Sequence, residues 1–421
     1  MARNLALHGP LAFDGAAVDQ PAVAAAAGID IAIATDLDAI AADWRFFEWE
    51  ADRTFFQSFD WLAKWQHHVG APGGTRPAIV TGRERGGNIL FIFPLAVEGG
   101  GFTRRLTWLA SPVCDYNGPL LARKFWSCVG SDGFPALWRT IVRRLRASGL
   151  RFDFIDLSKM PEAVGGQPNP FLKLPVRVNP SNAYVATLGD SWEAWYSAKR
   201  SGPTRKKERK QLKQLGEHGA VKFVDVAGTE LLRETMATLI AQKLHAFARM
   251  GVRNQLDQAA YHAFYLDLAN DPATRDIEHI SRLDVGDVPA ATGLGLRYGG
   301  TYYLVLSSYQ DGELARLGPG RAHLNELLRH AIGQGFQRFD FTIGDEPYKR
   351  DYSDIVLRPH DHIAAVTGRG ALVVGAKIAF RRAKRFIKQT PALWQGYLKA
   401  RALVAAWSGR GKGAAAGEGD A

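Results

Sequence analysis

The sequence predicts an α/β protein made of two similar units in tandem. Its 421 residues exceed what one hydrophobic core usually organises, and 46% hydrophobic with 23% charged residues is ordinary for a globular chain. Both halves show the same order of strand hairpin, helix and further strand. A helix-to-strand junction ending in Phe-Asp-Phe occurs at 146–154 and again at 333–341. This repetition favours the duplication of one α/β unit.

The first half alternates helical and strand-like periodicity. Two β-rich runs around Arg85, Gly86 and Gly87 are typical of a hairpin, and Gly149 ends the helix that follows. The predicted elements are, in chain order, helix 56–67, strands 78–81, 89–97, 106–109 and 118–121, helix 135–148 and strand 152–157.

The second half repeats this order after an additional helical region. Ser191 is the expected N-cap of the first helix, which breaks at Gly202 and Pro203 before a basic run. The predicted elements are helices 191–198, 203–215, 230–250 and 258–268, strands 279–284, 290–297 and 302–307, helix 322–332 and strand 338–343.

Proline and glycine concentrate between Met160 and Asn182, and the connection between the units is placed there. The predicted division is a loosely ordered segment 1–28, a first unit 29–180, a second unit 181–368, basic and aromatic helices 369–408 and a disordered tail 409–421.

Composition limits the cellular setting and the partners. No secretory leader or membrane-spanning run is recognisable, and two cysteines make no disulfide framework, so a reduced cytoplasmic location is expected. The net charge of +11 concentrates in a run from Lys199 to Lys213, with Glu208 as its single acid, and in the acid-free stretch from Lys377 to Arg401. Each run is either a solvated helix face or a surface for phosphate-bearing ligands, anionic lipid or nucleic acid.

A glycine-containing turn opens the helix predicted at 322–332 and is the candidate donor-binding loop. Glycine allows a ligand to approach the backbone, and a helix start offers N–H groups and a partial positive charge, which together suit a pyrophosphate. An ordinary turn is the alternative interpretation. The candidate residues are Arg316, Gly318, Gly320, Arg321 and Ala322.

The strand at 338–343 carries one acid among apolar neighbours and then enters a polar loop. Asp340 needs a partner if it is buried; a carboxylate that ties a neighbouring loop is the alternative to a catalytic role. Tyr348 is a candidate acid for a leaving thiolate, and Lys349 a candidate for holding a phosphate or carboxylate. These three are the predicted catalytic residues.

Four residues are candidates for an acceptor cleft between the halves. Asp115 and Tyr116 precede a Gly-Pro turn, and His245 and Arg249 lie one helical turn apart. The sequence has no His-Glu-x-x-His, no zinc-spaced Cys/His set and no Gly-x-Ser-x-Gly, which disfavours metalloenzymes and hydrolases of those kinds. No metal is therefore expected.

These motifs together resemble a known family, over roughly 56–358. They are Phe59-Asp60-Trp61 with Trp65, Asp115-Tyr116-Asn117-Gly118-Pro119, Ser191-Trp192 before the basic helix, Lys243-Leu244-His245, Gly318-Pro319-Gly320, and Gly344-Asp345-Glu346-Pro347-Tyr348-Lys349. The chain resembles the CelD-like, cellulose-biosynthesis-associated acetyltransferases of the GNAT superfamily, relatives of the Fem peptidyltransferases.

The resemblance implies two tandem GNAT-like (acyl-CoA N-acyltransferase) units, each a mixed, mostly antiparallel sheet flanked by helices. It also implies direct transfer from acetyl-CoA or another acyl-CoA to an amine or hydroxyl of a small molecule or glycan precursor. The donor loop departs from the family pattern, because Pro319 occupies the place of its first glycine.

Two alternatives remain open at this stage. One is an aminoacyl-tRNA-dependent ligase of the Fem type, with the basic run on RNA, although a nucleic-acid partner is not the preferred expectation. The other is a non-catalytic GNAT scaffold that contacts a polysaccharide-synthesis complex or a membrane surface through the basic C-terminal segment.

Overall fold

The computed structural model describes residues 28–251, 254–271, 274 and 277–389, with side chains up to residue 380. The predicted N-terminal segment up to residue 27 and the predicted C-terminal segments beyond residue 389 lie outside this range. Among the described residues, no helix is long and apolar enough to cross a membrane.

Helices flank both sheets of the protein. Their bounds are α1 Ala41–Glu48, α2 Phe59–Trp65, α3 Phe125–Val129, α4 Phe134–Ala147, α5 Trp192–Lys199, α6 Gly202–Gly216, α7 Thr229–Arg249, α8 Ala259–Asn270, α9 Pro319–Gly333, α10 Pro347–Tyr352 and α11 Gly368–Gln389. The predicted caps are confirmed, since the Ser191 hydroxyl accepts a hydrogen bond from the backbone N–H of Ala194 and Gly149 has φ +84°.

The first sheet contains mostly residues of the first half. Its strands are β1 Ile29–Ala34, β2 Arg76–Glu84, β3 Ile89–Glu98, β4 Arg105–Trp108, β5 Leu120–Leu121, β6 Phe154–Met160, β9 Val176–Val178 and β17 His360–Ala365. The order is β1-β2-β3-β4-β6-β17-β9, and β5 pairs with β3. A separate small hairpin joins β7 Ala163–Val164 to β8 Gln167–Pro168.

The second sheet, like the first, is mixed and mostly antiparallel. Its strands are β10 Ala183–Thr187, β11 Val221–Asp225, β12 Glu278–Val285, β13 Val288–Tyr298, β14 Thr301–Tyr309, β15 Arg338–Ile343 and β16 Ile355–Leu357, in the order β11-β12-β13-β14-β15-β10-β16. Each sheet is antiparallel apart from one parallel pair, β4 with β6 and β14 with β15. Both pairs involve the strand that bears or follows Phe-Asp-Phe, so the predicted duplication is present in the topology.

The division of the chain differs from the predicted one at two places. The proline-rich stretch 160–182 is not a simple connection, because β9 lies within it and joins the first sheet. Strand β17, predicted to belong to the second unit, pairs instead with β6 of the first sheet. Strand β17 thereby satisfies backbone groups that β6 would otherwise leave unpaired.

One hydrophobic core runs through both units. Trp61 of the first unit packs edge-on against Phe264 of the second, with ring centroids 5.3 Å apart. The Lys64 ammonium is 2.9 Å from the Asp267 carboxylate and 3.0 Å from that of Asp271. The interface between the units is therefore continuous with the interior and places side chains of both halves side by side.

Candidate active site

The parallel pair β14 and β15 opens into a cleft. The ladder pairs Thr301 with Arg338 and ends at Tyr303 with Asp340, although β14 continues to Tyr309. A register shift on the other side of β14 leaves Val305 as an extra residue between the partners of Leu294 and Gly295. Such a bulge bends the strand and releases backbone groups from the ladder, so polar backbone is available where the two strands separate.

A buried carboxylate lies at the point of separation. Both oxygens of Asp340 are 2.9 Å from the hydroxyl of Tyr116, which donates across the interface between the units. The backbone N–H of Thr342 donates to Oδ1 at 2.7 Å. Asp340 is 4% exposed, and burial raises its pKa to about 7 despite these two donors. The group can exchange a proton near neutral pH.

The segment after Asp340 is strained. Thr342 has φ +59°, a left-handed conformation that β-branched residues rarely adopt. Its hydroxyl donates to the carbonyl of Leu304 on β14 at 3.2 Å, and the ammonium of Lys349 donates to the carbonyl of Ile343 at 3.2 Å. Lys349 also lies 3.0 Å from the Glu346 carboxylate. Lys349, which the sequence predicts to hold a phosphate or carboxylate, therefore contacts the loop that follows β15 in this structure.

Further ionisable groups surround this loop. Asp115 is partly buried, and burial raises its pKa while Lys159 and Lys349 oppose the rise. Burial lowers the pKa of Lys243 on α7, and the nearby Glu346 opposes that shift. The sequence interpretation did not assign roles to Lys243, Glu346 or Lys159.

The sequence contains a pattern that could have identified Lys243. This lysine continues, at helical spacing, the face of α7 that carries the buried Met236, Leu239 and Ile240. A lysine on an apolar stripe needs a counter-charge, and the carboxylates of Asp115 and Glu346 supply one here.

Tyr348 has the protonation state that a thiolate-protonating acid needs. Burial and the Glu346 charge raise the pKa of its hydroxyl to about 12, which keeps it protonated at neutral pH. A hydrogen bond with Ser307 on β14 places this hydroxyl at the opening between the strands. Its ring packs on Phe341 with centroids 6.3 Å apart.

A pocket of about 570 Å³ leads to the Asp340–Tyr116 pair from the interface between the units. Tyr303 and Asp340 line it from the second sheet, and loops of the first unit close the other side. Three guanidinium groups, of Arg53, Arg338 and Arg358, also line it. The pocket has room for a small polar molecule.

The candidate donor loop has the predicted turn at the start of α9. Gly318 adopts φ +72° and ψ +47°, which glycine tolerates best, and Pro319 occupies the first helical position. The N–H groups of Arg321 and Ala322 both donate to the carbonyl of Gly318 at 3.1 Å. A phosphate would therefore meet fewer free amides here than the sequence predicts.

The predicted phosphate-binding arginines contact acids in this structure. The Arg316 guanidinium is 2.8 Å from the Glu313 carboxylate, and that of Arg321 is 3.5 Å from the carboxylates of Glu208 and Asp351. A second pocket, of about 480 Å³, lies between α5, α6 and α9 and is lined by Gly318, Arg321 and Ala322. The corner of the donor loop is thus open.

The predicted acceptor residues fall into two groups. Asp115 and Tyr116 belong to the cluster around Asp340. His245 and Arg249 are exposed on α7, and both contact the carboxylate of Asp311 in the loop after β14, at 3.1 and 2.5 Å. His245 and Arg249 therefore contact Asp311 and not the cluster that contains Asp115 and Tyr116.

Comparison with known proteins identifies a domain in the second half of the chain. Residues 202–350, about a third of the chain, match the family described as the acetyltransferase (GNAT) domain. The matched segment contains the candidate donor loop, β14, α9 and β15. No curated protein matched the sequence significantly.

Several solved structures have a similar fold. The crystal structure of FemX superposes on this chain with a TM-score of 0.53 and 10% sequence identity. The match covers 79% of this chain and 97% of FemX. A conserved protein of unknown function from Bacteroides thetaiotaomicron is 10% identical with a TM-score of 0.48, over 80% and 100%. A tandem GNAT protein from the clavulanic acid biosynthesis pathway is 13% identical with a TM-score of 0.42, over 80% and 98%. Together with the topology, the domain match and FemX identify two tandem GNAT-like α/β units.

Proposed function

We propose that this protein is an acyltransferase that moves an acyl group from a CoA thioester to an amine or hydroxyl. The observation that carries the proposal is the buried Asp340 carboxylate, which lies where β14 and β15 separate and lines a pocket between the units. A group with a pKa near neutrality at the base of a cleft is suited to proton transfer.

In the proposed reaction the acceptor nitrogen or oxygen attacks the thioester carbonyl carbon, and the carbon–sulfur bond breaks. Asp340 takes the proton that the acceptor loses, and the Tyr116 hydroxyl holds the carboxylate in place. Tyr348 gives its proton to the departing thiolate. Backbone N–H groups released at the β14 bulge are the candidates for stabilising the carbonyl oxygen.

We assign the donor and the acceptor only as chemical classes. The loop from Gly318 to Ala322, with Arg316 and Arg321, is the proposed pyrophosphate contact, and a ligand would have to compete with the acids that now pair with these arginines. We propose a sugar or another glycan precursor as the acceptor, on the strength of the family resemblance. Asp115 and Tyr116 remain in the proposed acceptor site, whereas His245 and Arg249, which contact Asp311, are no longer assigned to it.

An aminoacyl-tRNA donor is the second candidate. It is favoured by the basic side chains of α6, beside the donor pocket, of which Lys206, Lys207 and Lys210 are exposed. The proposed membrane contact has less support, because Lys377 at the start of the basic C-terminal segment is paired with Asp156 of β6.

The test is release of free thiol from acetyl-CoA in the presence of a panel of amino sugars and amines. Asp340→Asn should reduce kcat/KM by about 100-fold or more, in the range of general-base catalysis. Asp345→Asn, an exposed acid in the loop after β15, is the matched control and should retain activity. Equal activity of D340N and the wild type would reject the proposed base.

The pH profile provides a second readout of the same test. Activity should rise with pH through a midpoint near 7 as Asp340 loses its proton. Tyr116→Phe removes a donor that stabilises the carboxylate, so the midpoint should move to higher pH. No thiol release with any acyl-CoA, together with salt-sensitive tRNA binding, would favour the aminoacyl-tRNA candidate.

A further inference from the structure

Three side chains with metal-binding groups meet away from the proposed active site. Asp225 ends β11, His279 lies on β12 and His330 lies in the second half of α9. One ligand atom from each residue lies within 4.8 Å of the other two. The three residues come from separate elements, 54 and 51 positions apart along the chain, so only the tertiary fold brings them together.

The His330 imidazole has a ring nitrogen without a protein partner. The rings of His279 and His330 stack with centroids 4.4 Å apart and planes at 11°. Within the part of the chain that the structure describes, Nε2 of His330 is buried and has no hydrogen-bond partner, whereas Nε2 of His279 lies 3.2 Å from the Asp225 carboxylate. Burying the His330 nitrogen without a partner is unfavourable, and a bound metal ion would satisfy it.

The surroundings of His279 fix which nitrogen faces the cluster. The His279 side chain is fully buried, and its Nδ1 is 2.7 Å from the hydroxyl of Tyr302 on β14. Nε2 faces the Asp225 carboxylate, 3.2 Å away, to which an Nε2–H can donate. A metal ion would replace the proton of this hydrogen bond, and Nδ1–H would then donate to the Tyr302 hydroxyl. A ligating histidine that donates its other N–H is the usual arrangement in metal sites.

We propose that Asp225, His279 and His330 bind one divalent transition-metal ion, with Zn²⁺ the best match. Two imidazoles and one carboxylate without thiolates suit this borderline ion, and a water would complete four-coordination. Tetrahedral ligands at zinc bond lengths are about 3.4 Å apart. The Asp225–His279 separation already fits, whereas the stacked rings of His279 and His330 must tilt on binding, because a metal lies in the plane of each imidazole that binds it.

The ion would lie across the second sheet from the proposed active site. Tyr302 and Tyr303 are neighbours on β14 and therefore point to opposite faces. Tyr302 contacts His279, whereas Tyr303 lines the pocket that contains Asp340. The metal would join the C-terminal half of α9 to β11 and β12, and so fix the helix whose other end carries the candidate donor loop. Its role is structural, and it does not depend on the proposed acyl transfer.

The test uses the full-length protein, purified without a histidine tag, stripped with a chelator and dialysed against Zn²⁺. Mass spectrometry of the metal should find one Zn²⁺ per chain, and the melting temperature should rise with Zn²⁺ but not with Mg²⁺. Substituting Co²⁺ should give the visible absorption of a tetrahedral site.

The variants His330→Gln and Asp225→Asn should lose the bound metal and the rise in melting temperature. The exposed His218→Gln is the control and should keep both. Circular dichroism checks folding, and the exposed D225N decides the matter if H330Q does not fold. The proposal fails if the wild type retains no zinc, or if D225N retains as much as the wild type, which would mean binding at other surface histidines.

Discussion

Burial of the Asp340 carboxylate destabilises the folded protein at neutral pH, and it also gives the group a pKa suited to proton transfer. Its pKa is about 7 in the folded protein against 3.8 in an exposed aspartate, because burial disfavours the charge. Between these values the native state holds a proton that the unfolded state has released. The contribution of Asp340 to the free energy of unfolding therefore falls as the pH rises from about 4 to 7.

Asp340→Asn should remove this dependence. The asparagine keeps an acceptor for Tyr116 and for the Thr342 amide, but it carries no titrating charge. We expect the stability of D340N relative to the wild type to increase between pH 4 and 7, by up to the order of 4 kcal/mol. Urea unfolding of both proteins across this range measures the difference. Parallel curves for D340N and the wild type would show that Asp340 titrates normally, and D345N should follow the wild type.

The sequence indicates Asp340 but not its environment. A single acid among apolar strand residues stands out, and Tyr116 is recognisable within its own motif. Their contact joins positions 224 residues apart, which no local pattern records. The strain at Thr342 is also invisible, because a threonine in a strand-like sequence predicts extended backbone.

Individual helices and strands follow the sequence patterns closely. Strand β15 has the predicted bounds, and hairpin β2–β3 surrounds the predicted turn. Helix α9 begins at Pro319 rather than at residue 322, since proline is favoured in the first turn, where no N–H bond is lost. Eight strands in the described part of the chain were not predicted: β1, β7 to β11, β16 and β17. Among them β9, β16 and β17 are short, have little periodicity of their own and pair with distant parts of the chain.

The start of α9 offers a test of donor binding. A Cβ at Gly320 would come within 2.8 Å of the Tyr309 ring, whose side chain is exposed and can move. Gly320→Val should therefore fold but fill the space above the loop, and calorimetry with CoA should show at least a tenfold loss of affinity.

The matched control is Gly333→Val at the other end of the same helix. No atom lies within 4 Å of a Cβ at that position, so the control makes the same substitution in the same helix without blocking the loop. CoA binding that is as tight in G320V as in G333V would exclude this loop as the pyrophosphate contact.

At the scale of the whole molecule, the two units depend on each other. The first sheet includes β17 from the far end of the chain, and the Trp61–Phe264 contact belongs to a core that spans both units. A fragment of residues 29–180 would lack β17 and expose one face of this core.

We expect the isolated fragment 29–180 to aggregate or to lack a cooperative unfolding transition. Co-expression with 181–421 should recover a soluble complex, because the second fragment supplies β17 and the partner half of the core. Circular dichroism and size-exclusion chromatography distinguish these outcomes. A stable, cooperatively unfolding 29–180 would show that the first unit folds independently.

The return of β17 also has a consequence during protein synthesis. Strand β6 ends at Met160, and its partner begins at His360, so about 200 further residues must leave the ribosome before the two can meet. At ordinary rates of translation this takes on the order of 10–40 s. Throughout that time the nascent chain presents an open strand edge, to which chaperones or other nascent chains can add.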